Sequence, residues 1–431
     1  MEKKQSEFNK VFSAWDILVI AFGAMIGWGW VVSSGGWIQK GGVLGAALGF
    51  VVGGVMIFFV GLTYAELTAA MPQCGGEHVW SHRAMGPTGS FVCTWAIVLG
   101  YVGVACFEAC AFPTIISYLW PGFLKGYLYT VAGFDIYASW LIVAIIVAFC
   151  IMLINIVGAK TAAKLQTILT VIIGGAGILL IVASVINGTV DNLDGQMFAE
   201  VGGGGIVKSI LSVVLAVLFY AFVIIAVGLV MNAGAITASQ AGTGLVTADA
   251  MAESYMIPRV FAKLHPKHKT PINALILIGI LTMLAPFAGR VMMVWICDAG
   301  NFGCCLAYCM VAISFLILRK KQPDMPRPYK VPAGRLMGGV AVLMSGFMVV
   351  MYCIPGSGGT LILPEWGMVA AWSALGVVFF AICKSKYRES FGSMIQLISD
   401  EDAATLLPEA DERELDKVID GAIDRVLARL A

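Results

Sequence analysis

Ten long apolar runs decide what this chain can fold into. They cover residues 15–38, 43–70, 90–119, 138–157, 167–186, 207–231, 272–288, 291–318, 336–354 and 366–383. About twenty apolar residues in helical form cross the hydrocarbon core of a bilayer. A helix is suited to that task because it satisfies its own backbone polar groups where no water can. The expected class is therefore all-α, a polytopic membrane protein with about ten spans, of which 272–288 is the shortest. Composition agrees: 59% of the 431 residues are hydrophobic and only 12% are charged. A soluble domain carries about 25% charged residues, so this chain cannot cover a water-facing surface. Its net charge of +1 supplies no basic field for nucleic acid. The first apolar run is too long for a cleavable signal peptide and is expected to stay as an anchor.

The loops set the orientation. With the N-terminus inside, Arg83, Lys160, Lys164, Arg259, Lys263, Lys267, Lys269, Arg319, Lys320, Lys321, Arg327, Lys330 and Arg335 all fall on the inner side. Lys384, Lys386 and Arg388 follow them, whereas Lys40, Lys125, Lys208 and Arg290 fall outside. Lys and Arg accumulate in cytoplasmic loops, so both termini are expected in the cytosol. Trp120, Trp140 and Trp366 stand at span ends, where indole rings favour the interface. The domain reading is a cytosolic tail over 1–14, a transmembrane domain over 15–383 and a cytosolic tail over 384–431. In that last tail Leu415, Val418, Ile419, Ala422, Ile423, Val426 and Leu430 recur at helical spacing, which predicts a short amphipathic helix.

Most cysteines sit within apolar runs, where they behave as small hydrophobes. No Cys–His spacing suits a metal, and Gly202–Gly205 lacks the Lys-Ser/Thr that completes a phosphate loop. No nucleophile, base and orienting group gather at recognisable spacing. The expectation is a non-enzyme without cofactor or metal.

The first run has an unusual centre, Gly23-Ala24-Met25-Ile26-Gly27-Trp28-Gly29. Three glycines in seven residues weaken a helix and open its backbone to a neighbour. Two readings stand side by side. Either the helix is unwound here and its free N–H groups, with the positive dipole end of the second half-helix, face a carboxylate, or small residues let two helices pack closely.

This glycine run resembles the Gly-x-x-Ile-Gly-x-Gly signature of the amino acid–polyamine–organocation permeases. Three further stretches resemble the same family in the same order. They are Tyr64-Ala65-Glu66-Leu67 through Met71-Pro72-Gln73-Cys74-Gly75-Gly76-Glu77-His78-Val79-Trp80; the stretch from Ile257-Pro258-Arg259 to Thr270-Pro271; and Leu318-Arg319-Lys320-Lys321-Gln322-Pro323-Asp324 with Arg327-Pro328-Tyr329-Lys330-Val331-Pro332. The resemblance implies an inverted repeat of five helices plus five, broken first and sixth spans, and a substrate carboxylate on the backbone of Gly23–Gly29. It also implies secondary transport of an amino acid or related amine by alternating access in the cytoplasmic membrane. The implied partners are that small molecule, a coupling ion (proton or sodium) and the lipid bilayer.

The chain departs from the family pattern in two places. The run 207–231 resembles the family's seventh span, not its broken sixth, and 232–271 has no run able to cross a bilayer. The expectation is that the sixth and eighth spans are missing, unless Gly202–Gly205 and 207–231 together replace the sixth. A transport-incompetent sensor or scaffold derived from such a permease is the alternative function. Inside the spans, Glu108 and Asp298 are the candidate coupling or gating residues, because ionisable groups at membrane depth are costly. Asp16 and Glu66 near the inner interface are expected to gate or to hold structure. The fifth run has Ile173 where proton-coupled relatives carry a lysine.

Overall fold

The computed structural model describes residues 29–71, 75–157, 250–252, 254–263, 265, 271–355, 359–388 and 391–392, with scattered helical positions between 175 and 186. Seven long helices follow in order: α1 (Gly29–Ala70), α2 (Glu77–Leu119), α3 (Ala138–Val157), α4 (Ile272–Leu284), α5 (Val291–Lys321), α6 (Gly334–Cys353) and α7 (Leu363–Tyr387). A 3-10 turn, Ala285–Ala288, extends α4. Five of these helices are long and apolar enough to cross a membrane, and α3 and α4 are shorter apolar helices. The all-α membrane class read from the apolar runs is what the fold shows. The sixth run and the C-terminal amphipathic stretch lie outside the described residues.

Two glycines set the helix boundaries. Gly42 (φ 71°) interrupts α1 between the first and second apolar runs. Gly86 (φ 77°) interrupts α2, so residues 77–85 fold back along the long segment that follows. Positive φ strains any residue with a Cβ, so each break falls where glycine allows it.

The core is centred on α2 and α5, which pack against each other more extensively than any other pair. They run antiparallel and nearly backbone to backbone. A Cβ at Gly303 would stand 2.5 Å from the Ala96 carbonyl oxygen, and one at Gly103 would stand 2.9 Å from that of Ile296. The Cys93 thiol meets the Ala307 carbonyl at 3.7 Å in the same seam. Small residues let membrane helices approach this closely. Gly303→Val is therefore expected to destabilise the fold by about 1–3 kcal/mol through overpacking, read as a lower melting temperature in detergent. An unchanged melt would show that the seam has slack. Around this pair, α6 packs on α5 and α1, α3 on α4 and α2, and α7 on α5. Trp95 on α2 and Trp372 on α7 stack at 4.6 Å, and each indole N–H donates to the other residue's carbonyl at 2.9 Å.

The segment between α2 and α3, legible in the sequence only as an outer loop, forms a hairpin of β1 (Tyr127–Val131) and β2 (Phe134–Tyr137). Its two turn residues, Ala132 and Gly133, both have positive φ, the backbone that two-residue hairpins favour. Tyr129 Oη donates to the Phe287 carbonyl at 2.7 Å and ties the hairpin to the end of α4. Trp140 stands in the first turn of α3, at the span end; it is buried there, and its indole reaches Thr114 Oγ1 on α2 at 3.3 Å.

Candidate functional site

Among the described residues, the stretches around His78 and Ala84, Ser254, Lys321 and Gly392, from segments read as inner by charge, contact one another. Glu66 at the end of α1 is a hub and is 1% exposed. Arg319 Nε donates to its Oε1 at 3.0 Å and Arg319 Nη2 to its Oε2. The backbone N–H of Val331 donates to Oε2 at 2.7 Å, and Arg327 Nε stands 3.0 Å from Oε1. A carboxylate has roughly four acceptor positions, and all are occupied. Arg327 also donates to the carbonyls of Leu318, Gln322, Pro323 and Met325, which fixes the turn after α5. Two of the four family-like stretches thus meet in one buried clamp.

A second junction forms on the folded-back segment. His78 is fully buried. Its Nδ1 lies 3.0 Å from both Thr94 Oγ1 and Ser90 Oγ, and its Nε2 lies 2.8 Å from Ser254 Oγ. The backbone N–H of Gly392 donates to the Ser254 carbonyl at 2.8 Å. Lys321 Nζ donates to the Ala84 carbonyl at 3.3 Å. Segments from the loops around His78 and Ser254 and from the stretch after α7 therefore lock together through His78 and Ser254, a pairing that no pattern in the sequence announces.

Of the expected site residues, Glu108 lies on α2 and Asp298 on α5, the two helices that pack most extensively against each other, and both are half-buried. Gly23, Ala24, Met25, Ile26, Gly27 and Trp28 lie outside the described residues; Gly29 is the first residue of α1.

Comparison with known proteins decides the family. Residues 16–212 match one profile described as amino acid permease, and residues 193–382 match a second of the same description. The chain belongs to the amino acid permease family. Among similar proteins of Bacillus subtilis, the branched-chain amino acid permease is 21% identical, aligned over 80% of this permease and 89% of the relative. The methylthioribose transporter is also 21% identical, over 90% of this permease and 96% of its own length. The aspartate-proton symporter is 29% identical over 48% of this permease and 39% of the relative. Glu66, His78, Glu108, Asp298, Arg319 and Arg327 all fall within the matched stretches of the permease. Amino acid transport is the activity class to which these matches belong.

Proposed function

We propose that this permease moves an amino acid or related amine across the cytoplasmic membrane by alternating access, driven by a coupling ion or by exchange. The observation that carries the reading is the alignment with transporters along nearly the whole chain. The substrate carboxylate would sit on the backbone of Gly23–Gly29, and Glu108 with Asp298 would couple or gate beside it. The basic loops support cytosolic termini by the charge bias of cytoplasmic loops. Labelling of single cysteines placed in the loops of Arg83, Lys160, Arg259 and Arg319 tests this. Reagent confined to the outside is expected to miss all four, and reaction at any of them would overturn the orientation.

One observation favours the alternative. The alignment with the methylthioribose transporter runs over 459 positions but takes up only 90% of this chain. About 70 of those positions have no counterpart here, room for two spans of about 20 residues with their loops. With the lack in 232–271 of a run able to cross a bilayer, that room is compatible with missing sixth and eighth family spans, and with a low-affinity or transport-incompetent chain. Uptake of a radiolabelled amino acid panel by the purified chain in proteoliposomes tests both readings. Saturable uptake of one substrate supports the permease, and none with any of them supports the scaffold.

A further inference from the structure

The folded-back segment carries a second acidic residue that the clamp and the Glu108–Asp298 pair leave unused. Glu77 opens α2 and is 1% exposed. Tyr64 on α1 and Tyr101 further along α2 are each 1% exposed as well. Both hydroxyls and Glu77 Oε1 have no hydrogen-bond partner among the described residues. The Tyr64 ring packs edge-on against Trp80 of the folded-back segment at 5.3 Å and against Tyr308 of α5 at 5.6 Å, and the Tyr101 hydroxyl is the side-chain group nearest in interaction to the Glu77 carboxyl. The neighbouring His78 meets Ser90 and Thr94, so the folded-back segment sets this carboxyl against the first turns of the stretch from Pro87 to Leu119. A carboxyl buried there, away from water, is a functional candidate.

A carboxylate removed from water needs positive charge or hydrogen-bond donors. The other groups acting with it are Cys93 on α2 and Tyr308 and Cys304 on α5, none of them cationic. Its neighbour His78 directs both ring nitrogens to Thr94, Ser90 and Ser254, and Ser81 donates to the Glu77 backbone carbonyl. No Lys or Arg among the described residues acts on the Glu77 carboxyl, and the clamp arginines are spent on Glu66.

We propose that Glu77, Tyr64 and Tyr101 form a buried site for one small monovalent cation, a proton or a sodium ion. A proton on Oε1 turns the carboxyl into a donor for a phenol oxygen. A sodium ion takes the same oxygens as ligands, with the carboxylate supplying its countercharge. The role of this site in coupling rests on the permease reading, but the binding does not.

The test uses the full chain. The infrared carbonyl band of protonated carboxyl groups is followed against pH in potassium and in sodium salt, for the wild type, Glu77→Gln and Tyr101→Phe. The site predicts a wild-type band that Glu77→Gln lacks and Tyr101→Phe shifts. Loss of the band only as pH rises identifies the proton, and loss on adding sodium at constant pH identifies sodium. Identical spectra for the wild type and both variants at every pH in both salts overturn the site. Tyr101→Phe removes a single oxygen, so it carries the test if Glu77→Gln does not fold.

A second arm compares amino acid counterflow with accumulation driven by a pH or sodium gradient. Glu77→Gln is expected to keep counterflow and to lose accumulation by about tenfold or more, the scale of an ordinary coupling between two ligands. Accumulation equal to wild type overturns the coupling role. A wild type that shows neither counterflow nor uptake sinks the permease reading instead, and the infrared arm still decides the site.

Discussion

Glu66→Gln is expected to destabilise the permease by about 3–5 kcal/mol, because breaking a buried ion pair from one side leaves the other charge uncompensated. Here two guanidinium groups are left, those of Arg319 and Arg327, at 14% and 5% exposure. The amide has one oxygen in place of two, so it cannot accept from Arg319 Nε, Arg319 Nη2, Arg327 and the Val331 N–H together. Arg327 keeps its carbonyl partners along the turn after α5. Arg319 keeps the Val331 carbonyl at 2.9 Å and the Phe315 ring at 4.9 Å, so the loss is a missing countercharge more than missing contacts. The measurement is thermal unfolding in detergent. Arg327→Leu in the Glu66→Gln background should cost less than the sum of the two single changes, since one stranded charge is removed. Coupling between neighbours of this kind is about 0.5–3 kcal/mol. A Glu66→Gln chain that melts like wild type, or a strictly additive double variant, would show that the clamp is not a stabilising element.

The sequence showed the helices well because each needs only local information. Helices α3 and α4 with its 3-10 extension end where the apolar runs end. The Gly42 break falls in the gap between the runs 15–38 and 43–70. Glu66 was singled out as an ionisable group near a span end, but its partners were not, because Arg327 is far along the chain and stood among many loop cations. Glu77 was read only as one letter of a loop motif. Its burial depends on the Gly86 break, which reverses the short helix over 77–85 onto α2, and a glycine in sequence does not announce the direction of a turn. The contact of His78 with Ser254 joins positions 176 apart, and neither residue lies in a periodic pattern that points to the other. Glu108 and Asp298 were candidates because of depth alone. The antiparallel glycine seam of α2 and α5 puts them on two directly packed helices.

The other large effect is expected at Gly27, where the proposed site holds the substrate carboxylate. In the family's design the first and sixth broken helices bind opposite ends of the substrate. If the sixth is absent, as the alternative reading has it, the amine loses its partners. Hydrogen bonds to charged groups contribute roughly 1.5–3 kcal/mol each, so losing two costs about 3–6 kcal/mol. At a factor of ten per 1.4 kcal/mol, affinity falls on the order of a hundredfold to ten-thousandfold. On that alternative the purified chain would show little or no saturable uptake at micromolar substrate, whereas the permease reading expects saturable uptake. Inserting a glycine-containing broken helix between Gly205 and Val207, together with a span between Glu253 and Ser254, should restore it. Both insertions are needed, because a single added span would invert every helix after it. Gly27→Leu is the control, since a Leu side chain blocks close approach to the backbone at the carboxylate end and should abolish whatever binding the insertions recover. Micromolar transport by the unmodified chain, abolished by Gly27→Leu, would show instead that 207–231 replaces the sixth helix and that the substrate site is complete.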